Sequence, residues 1–164
     1  MKNSLLFLAF LFVTVDSVAC FTPPKEQLVT ADQLLAKSTN VSLAKVVKAE
    51  VAPSGQITYY FEVVTRFAGP KKNTFQVLGV PSIWEGTNRT FENHTESSFW
   101  ETRVGRLSND SDCKIYPEFS VGGHYLVFLD QPYTNKSFEL IIHTHGNKDV
   151  KDKWLQYVET HFLP

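Results

Sequence analysis

Residues 41–67 have the sequence VSLAKVVKAEVAPSGQITYYFEVVTRF, in which two runs rich in β-branched and aromatic residues flank a Pro53-Ser54-Gly55 turn. Such runs favour extended strands, and the turn favours a hairpin between them. Alternate residues of the first run are predicted to share one face of a sheet, namely Val41, Leu43, Lys45, Val47, Ala49 and Val51. We therefore expect this hairpin to begin a β-sheet.

Three further strands are predicted downstream of the hairpin. A Gly-Pro-Lys-Lys-Asn turn at residues 69–73 precedes a third strand at 74–80. Two more apolar runs, at 125–129 and 138–143, are separated by a turn around Pro132 and Asn135. The chain is therefore expected to contribute five strands.

Helices are predicted on both sides of the strands. Thr30 and Gln33 have the spacing of a capping box for a short helix at 31–37. Apolar residues recur at helical spacing near the C-terminus and predict a helix at 150–162; they are Val150, Trp154, Leu155, Val158 and Phe162. The fold class expected is all-β with flanking helices. The architecture expected is a five-stranded OB-fold-like antiparallel barrel with a short N-terminal helix and a C-terminal helix, because closure removes exposed strand edges.

A long insertion separates the third and fourth strands. Residues 81–117 are rich in Ser, Thr, Asn and Glu but also contain Trp84, Phe91, Phe99 and Trp100. Insertions of this length in a compact domain are commonly functional, and large aromatic residues dominate binding hot spots. Two interpretations are open: Trp84, Phe99 and Trp100 form a contact surface, or they fold back over the barrel wall.

The N-terminal residues have the features of a secretory leader. Lys2 supplies a positive charge, residues 5–13 are apolar, and Ser17 and Ala19 form a signal-peptidase site. The apolar run is too short to span a bilayer. We therefore predict a signal peptide at 1–19, a mature domain at 20–164 that begins with Cys20, and a secreted or periplasmic location.

Cys113 is the second of the two cysteines in the chain. An exported protein with two cysteines is expected to pair them, which predicts a Cys20–Cys113 disulfide. The alternative is acylation of Cys20, as in bacterial lipoproteins, which would tether the domain to a membrane. Ser17 occupies the position where that signal carries an aliphatic residue.

Composition and motifs argue against several functional classes. The net charge of −1 argues against nucleic acid and against polybasic membrane contacts. No nucleophile elbow, zinc-protease helix, phosphate loop or Cys-x-x-Cys motif is present, so neither catalysis nor a cofactor is expected. The pair His143 and His145 lacks a third ligand nearby, and residues 109–112 lack the Gly and distal Glu of a calcium loop. No metal site is predicted, and a monomer is expected.

Two other sets of residues were considered. His94 lies between Glu92 and Glu96 in the sequence, and His124 opens the fourth strand; each is more commonly structural when alone. Five asparagines lie in Asn-x-Ser/Thr frames, which a eukaryotic host would glycosylate on exposed loops; they are Asn40, Asn88, Asn93, Asn109 and Asn135.

The features that converge on one family are a leader that ends at Cys20, a proline-containing start, and several framework segments. These segments are Ala31-Asp32, VSLAKVV at 41–47, YFEVV at 60–64, FAG at 67–69, and Cys113 followed by FSVGGHYLVF at 119–128. The chain resembles the netrin-like domain, the OB-fold barrel of the tissue inhibitors of metalloproteinases, over nearly all of its mature length. The stretch from His94 to Cys113 is similar to exported bacterial members of that family.

The resemblance implies a disulfide between Cys20 and Cys113. It also implies an inhibitory site in which the α-amine and carbonyl of Cys20 bind a protease zinc and Phe21 enters the specificity pocket. The chain departs from the inhibitors because it begins Cys20-Phe21-Thr22 and lacks their Cys-x-Cys start. We expect an exported, non-catalytic domain that binds a protein, in one version a zinc metalloprotease. The expected binding residues are Cys20, Phe21, Trp84, His94, Phe99 and Trp100. The alternative is a structural or ligand-binding domain without inhibitory activity.

Overall fold

A computed structural model of the chain describes residues 24–80, 91–101, 113–141 and 151–163. The helices are α1 (Ala31–Lys37), α2 (Ser97–Glu101) and α3 (Lys153–Phe162), and the strands are β1 (Val41–Val51), β2 (Ile57–Ala68), β3 (Thr74–Gly79), β4 (His124–Phe128) and β5 (Phe138–Leu140). Single 3-10 turns occur at Lys25–Gln27 and Glu92–His94. The predicted leader at 1–19, Cys20, Phe21, Trp84 and the His143/His145 pair lie outside the described residues.

The five strands form one antiparallel sheet in the order β3-β2-β1-β4-β5. This confirms a mostly β protein with flanking helices. Across the described ranges the sheet is open, with β3 and β5 at its edges. β1 pairs with both β2 and β4, and its register with β2 shifts at three places, between Val41 and Ser42, Leu43 and Ala44, and Val46 and Lys48. Such irregularities bend a strand and increase its twist.

Both helix predictions are confirmed, with changes at one boundary. Thr30 caps α1, and its hydroxyl accepts a hydrogen bond from the backbone N–H of Gln33 while the Gln33 side chain accepts one from the N–H of Thr30. The reciprocal pair satisfies two donors that the first turn of a helix leaves unpaired. α3 begins at Lys153, because Asp152 is its N-cap and accepts from the N–H of Leu155.

The prediction that alternate residues from Val41 to Val51 share one face holds for Val41 and Leu43 but is wrong for Ala49, which packs with the opposite cluster after the register shift between Val46 and Lys48. Val41 and Leu43 are buried on one side, Ala44 and Val46 are buried on the other, and Val47 is 40% exposed. β1 is the central strand, so the first half of it is covered on both faces. The cluster on one side includes residues of α1 and α3, and the cluster on the other includes Phe119 and residues of β2 to β5.

Two apolar clusters result. The inner core lies on one face of the sheet and comprises Ala44, Val46, Ile57, Tyr59, Phe61, Val77, Phe119, Tyr125, Val127 and Phe138. The helix-side core lies on the other face and comprises Val29, Ala31, Leu34, Leu35, Val41, Leu43, Phe67, Phe91, Phe99, Leu126, Phe128, Ile141, Trp154, Leu155 and Val158. Consecutive residues of β4 alternate between the two clusters, as the two-residue period of a strand requires.

Phe119 lies at the centre of the inner core. Its ring makes edge-to-face contacts with Tyr59, Phe61, Tyr125 and Phe138, which come from β2, β4 and β5. Phe119 therefore contacts strands on both sides of the central strand β1. The segment before β4 packs on this face of the sheet.

The first prediction concerns this contact. Replacement of Phe119 by Ala should lower the free energy of unfolding by about 3–5 kcal/mol, because it removes a buried ring and leaves a cavity. The matched control Val121→Ala lies two residues away at a 59% exposed side chain and should change stability by less than about 0.5 kcal/mol. Urea unfolding of both variants measures the difference. Equal stabilities for the two variants would contradict this account of the inner core.

Candidate binding surface and the buried ionic cluster beneath it

The structure divides the predicted binding residues into three groups. Cys20, Phe21 and Trp84 lie outside the described residues. His94 and Phe99 have zero solvent exposure, so a partner cannot touch them in this conformation. Trp100 is partly buried against the helix-side core and keeps some exposed surface. For Phe99 the observed position agrees with the alternative interpretation, in which the aromatic residues of the insertion fold back over the sheet.

His94 lies between two buried carboxylates. Its Nδ1 atom is 2.7 Å from Oδ2 of Asp152, and its Nε2 atom is 3.5 Å from Oε2 of Glu139. The first distance is that of a charge-assisted hydrogen bond, and the second is that of a looser ion pair. Asp152 is fully buried and Glu139 nearly so. The imidazole therefore joins the segment 91–101 to α3 on one side and to β5 on the other.

Lys136 completes the cluster. Its side chain is fully buried in the turn before β5, and its Nζ atom lies 4.5 Å from the ring centroid of Phe99, which is a cation–π distance. With His94 protonated, the cluster carries two positive and two negative charges. This balance makes burial of four ionisable groups tolerable, because isolated buried charges are very costly.

Local backbone structure explains how each group reaches the cluster. Glu139 alternates along β5 with Phe138 and Leu140, which pack on the inner core, so its side chain points to the helix-side face. Asp152 uses its Oδ1 atom to cap α3 at Leu155 and its Oδ2 atom to bind His94. One carboxylate therefore fixes both the start of α3 and the imidazole.

The backbone at His94 is strained. Asn93 and His94 both have positive φ angles, 52° and 47°, which residues other than glycine seldom adopt. A conformation of this kind costs on the order of 1 kcal/mol per residue and persists only where surrounding contacts hold it. His94 is held here by its side-chain contacts with Asp152 and Glu139 and by backbone hydrogen bonds with Phe91 and with the Trp100 indole.

The pKa of His94 is raised from 6.5 to about 9. Burial lowers this pKa, but the hydrogen bonds and negative charges of Asp152 and Glu139 outweigh burial. The pKa of Lys136 moves the other way, to about 8, because burial of its ammonium group outweighs the charge of Glu139. At neutral pH the imidazole is therefore a cation.

The cluster has the pairing found in acid–base dyads, an imidazole oriented by a carboxylate. Full burial of His94 and Asp152 keeps any substrate out of contact with it in this conformation. In the described ranges, no group of three or more His, Cys, Asp or Glu side chains could hold a metal ion. What the cluster does in this conformation is hold the segment 91–101 in place.

The accessible surface above the cluster is aromatic. Trp100 donates its indole N–H to the backbone carbonyl of His94 at 2.8 Å, and its ring meets Tyr157 edge to face at a centroid distance of 5.2 Å. Tyr157 is 40% exposed. A shallow groove of about 480 Å³ lies beside these rings, lined by Trp100, Lys153, Gln156, Tyr157 and Thr160. We call these five residues the Trp100 surface.

A second feature lies near the start of the chain. The Gln27 side chain donates a hydrogen bond to the carbonyl of Cys113 at 2.5 Å, so the 3-10 turn at Lys25–Gln27 lies beside Cys113. The described residues include no free cysteine. A cavity of about 320 Å³ adjoins this contact and is lined in part by Gln27, Lys114 and Tyr133.

The glycosylation frames have different environments. Asn135 is only 1% exposed, and its Oδ1 atom accepts a hydrogen bond from the N–H of Val29. The expectation that this frame lies on an exposed loop is therefore wrong for Asn135. Asn88 and Asn109 lie outside the described residues, and Asn40 and Asn93 are half-buried.

Sequence reasoning missed Lys136, Glu139 and Asp152. Glu139 has a detectable signal, because a carboxylate on an otherwise apolar strand is unusual. Asp152 precedes the amphipathic residues of α3 and matches a helix N-cap. Lys136 lies in a polar turn and gives no sign of burial.

No family model and no curated protein gives a significant match to this sequence. None of the helices in the described ranges combines the length and the apolar character needed to cross a bilayer.

The second prediction concerns stability against pH. A raised histidine pKa gives stability that is fully present below pH 6.5 and is lost as pH rises toward 9. A lowered lysine pKa has the opposite effect, since stability is regained as pH rises from about 8 toward 10.5. The free energy of unfolding should therefore fall by about 1 kcal/mol between pH 6.5 and 8 and then level off to pH 9.

Urea unfolding across this pH range, with two variants, checks that profile. Lys136→Met removes the opposing titration of the lysine. The free energy of unfolding should therefore continue to fall up to pH 9, by about 2–3 kcal/mol in total. In His94→Gln the free energy of unfolding should not fall between pH 6.5 and 8. A wild-type stability that stays constant from pH 6.5 to 8 would show that His94 is not a buried cation.

Proposed function

We propose that the chain is an exported, non-catalytic domain that binds a protein partner through the Trp100 surface. The observation that carries the proposal is the fixed position of Trp100: its N–H is bonded to the His94 carbonyl, and its ring is packed against Phe99, Trp154 and Tyr157. An aromatic side chain held in this way loses little conformational entropy when a partner binds. Trp and Tyr are also the residue types most enriched in binding hot spots.

We further propose that the domain is a netrin-like OB barrel and that its sheet closes at the β3 edge. The strand order β3-β2-β1-β4-β5 and the bent β1 support this. The N–H of Val80 donates to the carbonyl of Pro117 at 3.3 Å, which brings the end of β3 to the segment before β4. The contacts of Phe119 with strands on both sides of β1 also support closure of the sheet.

A second version of the proposed function is metalloprotease inhibition by the N-terminus. The hydrogen bond from Gln27 to Cys113, and the lack of a free cysteine among the described residues, support a Cys20–Cys113 bridge. That bridge would fix Cys20 as a terminal residue whose α-amine and carbonyl can bind zinc, with Phe21 in the specificity pocket. A secreted or periplasmic monomer is proposed in both versions. Acylation of Cys20 would convert it to a membrane-tethered domain and remove the zinc-binding amine.

The third prediction tests the Trp100 surface. Partner capture from the exported proteins of the source organism is compared for the wild type, Trp100→Ala, Tyr157→Ala and the control Val121→Ala. We expect the wild type and Val121→Ala to capture the same protein. Each surface variant should recover at least about tenfold less of it, because truncating a hot-spot residue costs about 1 kcal/mol or more. Far-UV circular dichroism confirms that the variants are folded. A partner retained by both surface variants would overturn this site.

The fourth prediction tests the inhibitor version. Mature protein that begins at Cys20 is assayed against a panel of zinc metalloproteases, together with a form that carries one additional alanine before Cys20. The extra residue removes the free amine from Cys20 without changing the fold, so inhibition should be abolished while unfolding by urea is unchanged. If no protease distinguishes the two forms, the N-terminal mechanism is wrong and the Trp100 surface stands alone.

A further inference from the structure

We propose that the buried cluster of His94, Lys136, Glu139 and Asp152 is a charge-operated latch, which holds segment 91–101 against the sheet while the His94 imidazole is protonated and releases the segment when the imidazole is neutral. The latch regulates the Trp100 surface, so its functional consequence rests on the proposed function. The conformational change itself does not depend on the proposed function.

The first step is that His94 provides the ionic contacts of the segment. Its imidazole binds Asp152 of α3 at 2.7 Å and lies 3.5 Å from Glu139 of β5. The ring of Phe99, on the same segment, covers the ammonium group of Lys136. Two cations and two anions from separate parts of the chain therefore meet where the segment is attached.

The second step is that Trp100 depends on the position of His94. The indole N–H is bonded to the His94 carbonyl, and the Phe99 ring between these residues lies 4.6 Å from the imidazole. A movement of the His94 backbone would break the first contact and alter the second. Release of His94 therefore releases Trp100 from its fixed position.

The third step is that the latched state carries costs that opening relieves. The positive φ angles of Asn93 and His94 are maintained only by the surrounding contacts. Within the described ranges, the Oε1 atom of Glu139 has no hydrogen-bond partner, and the Nε2 atom of His94 has only the loose 3.5 Å ion pair with Oε2 of Glu139. Opening would expose both atoms to water and relax the backbone.

The fourth step is the change in charge. The groups that face His94 are Asp152 from α3 and Glu139 from β5, with Lys136 from the turn before β5 facing Glu139. Loss of the His94 proton would leave two carboxylates with Lys136 as the remaining cation of the four groups in a site that excludes water, and buried unpaired charges are strongly unfavourable. Loss of the Lys136 proton at higher pH opposes opening, because burial disfavours its ammonium form. Local opening hydrates the carboxylates at much lower cost than global unfolding.

The experiment is ¹⁹F NMR of protein labelled with 5-fluorotryptophan. Three resonances are expected, and Trp84→Phe, Trp100→Phe and Trp154→Phe assign them. In the wild type, a shifted Trp100 signal should grow by about fivefold between pH 6.5 and pH 8, the factor that corresponds to about 1 kcal/mol, while far-UV circular dichroism stays constant. An unchanged Trp100 signal over this range would overturn the latch.

Variants separate the latch from other titrations. His94→Gln removes the imidazole cation, so its Trp100 signal at pH 6.5 should already match that of the wild type at pH 8 and should no longer grow as pH rises. Asp152→Asn keeps an N-cap for α3 but removes one anion, and it serves the same purpose if His94→Gln does not fold. The matched control His161→Gln changes an exposed histidine of α3 and should keep the wild-type response. A pH response that His94→Gln leaves intact would overturn the proposal.

Partner binding measured at the same pH values distinguishes the two proposals. If the Trp100 signal changes and binding to the captured partner weakens with it, both stand. If the signal changes while binding is constant, the latch stands and the Trp100 surface is not the binding site.

Discussion

The contact between His94 and Asp152 connects two parts of the chain that are far apart in the sequence. His94 lies in the insertion after β3, and Asp152 is the residue at which α3 begins. Because Asp152 also caps α3, the imidazole, the start of the helix and the helix-side core are placed together. Phe91, Phe99 and Trp154 then pack around a site that would otherwise be a buried charge in an apolar core. The aromatic residues and the ion pair therefore require one another.

This arrangement bears on how the insertion is ordered. Segment 91–101 has only five residues in α2 and a single 3-10 turn, so its secondary structure contributes little stability. Its position depends on buried aromatic rings and on ionic contacts with distant residues. The same contacts give Trp100 a defined orientation at the surface. Order in the insertion is thus imposed by tertiary contacts and not by local propensity.

Much of the fold could be predicted because its signals are local. The capping box at Thr30, the runs that form β1 and β2, and the spacing of apolar residues in α3 are each contained in one short stretch. Burial of both faces of β1 could not be predicted, because it depends on which elements cover the sheet. The cluster was also out of reach, since Lys136 and Asp152 are typical of exposed turns and only their tertiary neighbours make them buried. His94 and Trp100 were identified as candidates, but whether each was buried or exposed required the structure.

The buried turn before β5 has a practical consequence for producing the protein. The side-chain oxygen of Asn135 accepts a hydrogen bond from the backbone N–H of Val29. The hydroxyl of Ser137 accepts one from the backbone N–H of Thr134. Both end residues of this Asn-x-Ser glycosylation frame, Asn135 and Ser137, therefore make buried hydrogen bonds. A glycan attached before folding would have no space in the finished domain, and removing the frame at either end would sacrifice a buried hydrogen bond. Recombinant material is best made in a host that lacks this modification.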